Sequence, residues 1–120
     1  MILVTGGFAA GKRSYTREAL GYKDIQMAGA GENWHSDAIR VVYDAQELAQ
    51  AEPRQEILDD LCRKDVVITC EVGAGIVPID RDERLYREAA GRLNVLLAQR
   101  ADKVIRVVCG LPQVLKDSQG

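Results

Sequence analysis

Runs of β-branched and aliphatic residues alternate along this chain with stretches whose apolar positions recur every three to four residues, so strands and helices are predicted to alternate. The first strand spans residues 1–5 and is followed by a helical stretch over 13–20. Residues 21–37 are rich in glycine and polar side chains and read as loop, with at most a short strand near Ile25. A buried-strand pattern over 38–43 ends at Asp44, and a helical segment runs to residue 50. Pro53 then opens a helix to about residue 63 with Ile57, Leu58 and Leu61 on one face. Residues 66–70 form another strong strand. Asp80 with Glu83 three places on makes a capping box, followed by the stripe Leu85, Ala89, Leu93, Leu96 and Leu97 on a helix ending near Asp102. Residues 104–109 are the last predicted strand. Near-continuous β-branched strands between helices imply an α/β fold with a mostly parallel sheet covered on both faces.

Composition narrows the class without choosing within it. At 120 residues the chain is expected to be one domain, residues 1–120, with a single core. A net charge of −2, with no basic stripe interleaved with aromatics, argues against a nucleic-acid partner. No apolar run approaches the ~20 residues that span a bilayer, and Met1 leads straight into the first strand with no room for a signal peptide. The expected location is the cytoplasm. Cys62, Cys70 and Cys109 are odd in number and widely spaced, which supports neither a disulfide framework nor a metal site, and they read as small apolar fillers.

The chemistry is concentrated where the first strand meets Gly6-Gly7-Phe8-Ala9-Ala10-Gly11-Lys12. This strand–G-x-x-x-x-G-K–helix pattern reads as a phosphate-binding loop. Glycines let successive N–H groups turn toward phosphate oxygens, the following helix presents its positive end, and Lys12 adds a full charge. The expected phosphate-binding set is therefore residues Gly6, Gly7, Phe8, Ala9, Ala10, Gly11, Lys12, Arg13 and Ser14, with ATP or GTP as the ligand. The residue after the lysine is Arg13, where a Ser or Thr normally ligates Mg²⁺. Adjacent helical residues point about 100° apart, so Ser14 does not take over that role.

Other candidates lie at predicted strand ends. Asp44 reads either as the carboxylate that holds Mg²⁺, directly or through water, or as the cap of the next helix. Glu71 begins the segment Glu71-Val72-Gly73-Ala74-Gly75-Ile76-Val77-Pro78, too glycine-rich for helix and too apolar for a free surface loop. A carboxylate there can bind metal, orient a nucleophile or act as base, or simply sit in a turn. His35, the single histidine, lies beside Trp34 in the loop and reads as solvated, with catalysis as the alternative. Arg87 and Arg92 read as exposed positions on the long helix, with phosphate binding as the alternative that spacing alone does not establish.

The segment from Glu71 to Pro78, with Tyr86-Arg87, Gly91-Arg92-Leu93-Asn94, Ala101-Asp102-Lys103-Val104, Val107-Val108-Cys109-Gly110-Leu111-Pro112 and Lys116, strongly resembles the C-terminal half of the bifunctional adenosylcobinamide kinase/adenosylcobinamide-phosphate guanylyltransferase family of cobalamin biosynthesis. Residues 1–20 resemble that family's opening. The resemblance implies a P-loop NTPase fold of RecA-like, three-layer type, often assembled as a homo-oligomeric trimer. It also implies phosphorylation of the aminopropanol hydroxyl of adenosylcobinamide by ATP or GTP, then transfer of GMP from GTP through a guanylylated histidine. Lys12 and the loop carry over as phosphate binders, Asp44 as the metal-side aspartate and Glu71 as the active-site glutamate.

The chain departs from that pattern in two places. Family members usually have Lys-Ser-Arg where Lys12-Arg13-Ser14 stands, and the segment carrying the guanylylated histidine is cut to little more than residues 21–37, leaving His35 in unmatched surroundings. These departures favour a compact member that keeps nucleotide binding and the kinase half over a full bifunctional enzyme. The alternatives are a degenerate member that binds nucleotide in a regulatory or assembly role, and a P-loop kinase for another small hydroxylated substrate.

Overall fold

The computed structural model describes residues 1–50, 52, 54–71 and 80–118. Among them, strands β1 (Ile2–Thr5), β2 (Met27–Gly29), β3 (Val41–Tyr43), β4 (Val66–Ile68), β5 (Lys103–Val108) and β6 (Leu111–Asp117) form one sheet in the order β2-β3-β4-β1-β5-β6. The first five pair parallel and β6 runs antiparallel to β5. The helices are α1 (Lys12–Glu18), α2 (Gln55–Cys62) and α3 (Arg81–Arg100). The fold is α/β, with helices on both faces of the sheet.

Strand periodicity builds the two faces. Ala28, Val42, Val67, Leu3 and Val104 are register partners in one row across five strands, and they pack with Leu58 and Leu61 of α2 and with Leu93 and Leu97 of α3. On the other face Val4, Val41, Val66, Ile68, Ile105 and Val107 pack against Tyr15 and Leu20, from α1 and just beyond it. Burying a Val, Leu or Ile side chain contributes roughly 1.5–3 kcal/mol. Such rows hold the seven-residue α1 in place, since a helix that short does not persist by propensity alone.

The long helix starts where expected: the Asp80 carboxylate accepts a hydrogen bond from the Glu83 amide at 2.7 Å. At its other end Lys116 of β6 donates to the carbonyls of Ala98 and Gln99, capping the last turn with a charge of favourable sign.

Several expectations need correction. The strand in the 21–37 region is β2, after a 3₁₀ turn at Asp24–Gln26; three residues of Met-Ala-Gly carry no strand pattern, and pairing with β3 defines it. The segment after Asp44 is a 3₁₀ turn, Ala45–Leu48, rather than a helix to residue 50. β5 is not the last strand. Cys109 (φ 50°) and Gly110 (φ 76°) form a two-residue turn with both φ positive, the hairpin geometry that matches strand twist, and β6 follows. Cys109 is thus an exposed turn residue, not an apolar filler. β6 had no alternating signal because it is an edge strand, carrying Pro112, largely exposed and bulged against the Val104/Ile105 step. The Pro53 helix start and the 72–78 loop lie outside the described residues.

Candidate phosphate-binding cleft

The glycine-rich loop leaves the carboxyl end of β1, which lies inside the sheet between β4 and β5, the position where parallel α/β sheets place ligands. Its path is forced at Gly6: a Cβ there would stand 2.5 Å from the Val107 carbonyl oxygen, so only glycine lets the loop pass over β5. Ala9 (φ 54°) and Gly11 (φ 90°) turn the backbone left-handed on either side of Ala10, the alternation that makes a concave nest of N–H groups for an anion. Lys12 reaches back across the loop, its Nζ donating to the carbonyls of Gly7 at 2.6 Å and Gly6 at 3.2 Å.

Neighbouring strands brace this loop from both sides. The Gly110 amide at the β5–β6 turn donates to Ala10 O at 2.9 Å, and the Glu71 amide donates to Gly6 O at 2.8 Å. Thr69 Oγ1 bonds Thr5 Oγ1 at 3.2 Å, and the buried Gln46 side chain accepts from the Cys70 amide, extending the β3–β4 contact beyond the ladder. The hairpin and the Gln46 bridge are features that sequence reasoning missed. Cys109-Gly110 was the available signal for the former; for Gln46 none existed.

A cleft of about 700 Å³ opens in front of the loop, lined by residues 8–14 together with Arg17, Tyr43, Asp44, Gln46, Glu47, Ile68 and Cys70. Its walls carry opposite charge. Lys12, Arg13 and Arg17 lie on the loop and α1 side, and Asp44 and Glu47 face them from the end of β3. Asp44 is left-handed (φ 54°), a conformation in which Asp is enriched, and its side chain makes no capping bond to the turn it precedes. Tyr86 of α3 approaches the same wall. Burial, and then the charges of Glu47, Cys70 and Asp44, push its hydroxyl pKa up.

The cleft fits a polyphosphate and a magnesium ion on the chemistry of its donors. Backbone N–H groups and a lysine suit phosphate oxygens, and Mg²⁺ usually takes one or two carboxylates plus substrate phosphates and water. Asp44 and Glu47 are that number of carboxylates. Ser14 is exposed on α1, while Arg13 extends over the Tyr43 ring, its guanidinium carbon 4.6 Å from the centroid.

Glu71 sits beside the loop rather than in the cleft lining. Arg106 of β5 grips its carboxylate with two bonds, Nε to Oε1 at 2.8 Å and Nη2 to Oε2 at 3.1 Å, bridging across the end of β1. His35 is not brought to the loop at all. Its ring stacks on buried Trp34 at 3.9 Å, and its Nε2 lies 3.6 Å from Asp60 of α2. It borders a separate hollow of about 110 Å³ with Arg40 and Lys64, residues that precede β3 and β4. That places it at the opposite, amino-terminal edge of the parallel strands.

Known proteins match part of this chain. Over 53 residues the chain is 49% identical to the bifunctional adenosylcobalamin biosynthesis protein CobU of Salmonella typhimurium, covering 44% of this chain and 29% of that protein. It is 36% identical over 61 residues to the bifunctional adenosylcobalamin biosynthesis protein CobP of Pseudomonas aeruginosa, covering 51% of this chain and 35% of that one. The Escherichia coli CobU protein is 47% identical over 53 residues, again 44% and 29% of the two chains. The aligned part thus spans about a third of the length of these curated relatives. No described helix is long and apolar enough to cross a membrane. The family match covers residues 32–115 and the fold is that of a P-loop NTPase: the chain belongs to the cobinamide kinase / cobinamide phosphate guanyltransferase family.

Proposed function

We propose that this chain is a cytoplasmic, nucleotide-binding transferase of cobalamin biosynthesis, an adenosylcobinamide kinase that moves a phosphoryl group from GTP or ATP to the aminopropanol hydroxyl. The observation that carries this reading is the pairing, in one cleft, of a Lys12-closed loop with the uncapped Asp44 carboxylate on the facing wall. Lys12 leaves the loop carbonyls to meet the β- and γ-phosphates. The loop N–H groups hold the phosphates in line, and Asp44, with Glu47 beside it, would hold Mg²⁺ or its water shell. When bound, Mg²⁺ neutralises charge on the phosphate oxygens. The Glu71 carboxylate, fixed by Arg106 and tied to the loop through its own amide on Gly6, is assigned the orienting of the acceptor alcohol at the edge of the cleft. Such catalysis is positioning and electrostatics, for which a rigid, strand-braced loop is suited.

The guanylyltransferase half is not part of this proposal, because the one histidine lies at the far edge of the sheet. A second reading, nucleotide binding without turnover in a regulatory or assembly role, is favoured by Arg13 at the position of the metal-side hydroxyl. Incubating the protein with Mg²⁺, adenosylcobinamide and γ-labelled GTP or ATP separates the two. Label appearing in adenosylcobinamide phosphate, and lost in Lys12→Ala, supports the kinase. Nucleotide binding with no labelled product supports the second reading, and absence of nucleotide binding overturns both.

A further inference from the structure

We propose that Arg13 is a phosphate-binding residue, held ready on the Tyr43 ring, that supplies from within the chain positive charge otherwise drawn from a divalent cation. The inference rests on the nucleotide reading above and concerns what the nucleotide's phosphates meet. Arg13 follows Lys12 directly and lines the cleft with it. The neighbouring cations are already engaged: Lys12 on the loop carbonyls and Arg17 on Asp24 at 3.0 Å. Arg13 has no carboxylate partner among the described residues, and its guanidinium lies over the ring face of Tyr43.

That ring is itself held in place. Its hydroxyl donates to Glu32 Oε1 at 2.8 Å, the same oxygen accepts from the Gly29 amide at 3.0 Å, and a Cβ at Gly29 would stand 2.9 Å from the ring edge. Tyr43 is therefore a fixed platform. An exposed cation–π contact is weaker than a charge-assisted bond to phosphate, and guanidinium binds phosphate through two parallel N–H groups. A bound polyphosphate accordingly draws Arg13 off the ring. The platform keeps the side chain extended over the cleft beforehand, which lowers the entropy lost on binding. Charge accounting gives the consequence: with Lys12 and Arg13 both on the phosphates, the ligand needs less neutralisation by Mg²⁺.

The test is calorimetric titration of GTP and of ATP into the wild-type protein, Arg13→Ser, Arg13→Lys and Lys12→Ala, each with Mg²⁺ and with EDTA. The expected result is that Arg13→Ser raises the EDTA Kd by about tenfold or more, a change of one decade, and makes the affinity more dependent on Mg²⁺. Arg13→Lys, which keeps the charge without the paired donors, falls between. Arg13 is exposed, so a melting temperature near wild type is expected and separates lost binding from lost folding. Equal EDTA affinities in wild type and Arg13→Ser overturn the proposal while leaving the nucleotide reading intact, provided Lys12→Ala weakens both. A wild-type protein that binds neither nucleotide in either medium overturns the two together.

Discussion

Gly6 and Val107 meet so closely that a Cβ on Gly6 would lie 2.5 Å from the Val107 carbonyl oxygen, backbone against backbone. No flexible side chain is there to yield. Gly6→Ala must lift the loop off β5, and overpacking of this kind typically costs about 1–3 kcal/mol. The expected outcome is a lower urea midpoint with an unchanged slope, together with weaker nucleotide binding because the Glu71 and Gly110 braces no longer reach the loop. Wild-type stability in Gly6→Ala would show that the loop has room to move.

Metal dependence is expected to follow Asp44 rather than Ser14. Asp44 faces the loop from the end of β3 with a carboxylate that caps nothing, whereas Ser14 is exposed on α1. Asp44→Asn should therefore reduce the affinity gained on adding Mg²⁺ to the nucleotide far more than Ser14→Ala does. Titrations at several Mg²⁺ concentrations measure this, and the reverse order would place the ion elsewhere.

Stability should fall on the acid side through Asp65. The hydrogen bond from Arg40, at 2.7 Å, and then the Tyr22 hydroxyl at 3.1 Å hold the Asp65 carboxyl below the usual carboxylate range. Because its folded pKa is depressed, the unfolded state takes up the proton first. The stabilisation is present above the ordinary value of about 3.9 and is lost as pH falls through the lower folded one. Denaturation curves between neutral pH and the acid limit should flatten in Asp65→Asn. The side chain is part-exposed, so the effect is a modest one.

Covalent guanylylation is expected to be absent. An imidazole must reach the α-phosphorus to accept GMP, and His35 is stacked on Trp34 against α2, at the opposite edge of the sheet from the loop. Protein incubated with α-labelled GTP and then denatured should carry no label. Label that survives denaturation and disappears in His35→Ala would restore the bifunctional assignment.

Short-range chemistry was legible along the chain. The apolar 2–4 run, the glycine spacing before Lys12, the β-branched 66–68 run and the Asp80–Glu83 cap each act within a few residues, so pattern alone located β1, the loop, β4 and α3. The same local chemistry marked Asp44, Glu71 and His35 as reactive types without saying which of them would meet. Tertiary structure decided that. Strand order brought Asp44 to the cleft, and the β2–β3 connection carried His35 away from it, because a connection between parallel strands must return to the amino-terminal edge before the next strand begins. β2 and β6 exist through pairing with β3 and β5, a stabilisation that three residues or an exposed edge strand without alternation cannot announce by themselves. The interactions that shape the site, the bonds from Arg106 to Glu71 and Gly110 to Ala10 and the stacking of Arg13 on Tyr43, join residues 30 to 100 positions apart. Such contacts depend on the packed sheet and leave no periodic trace in the sequence.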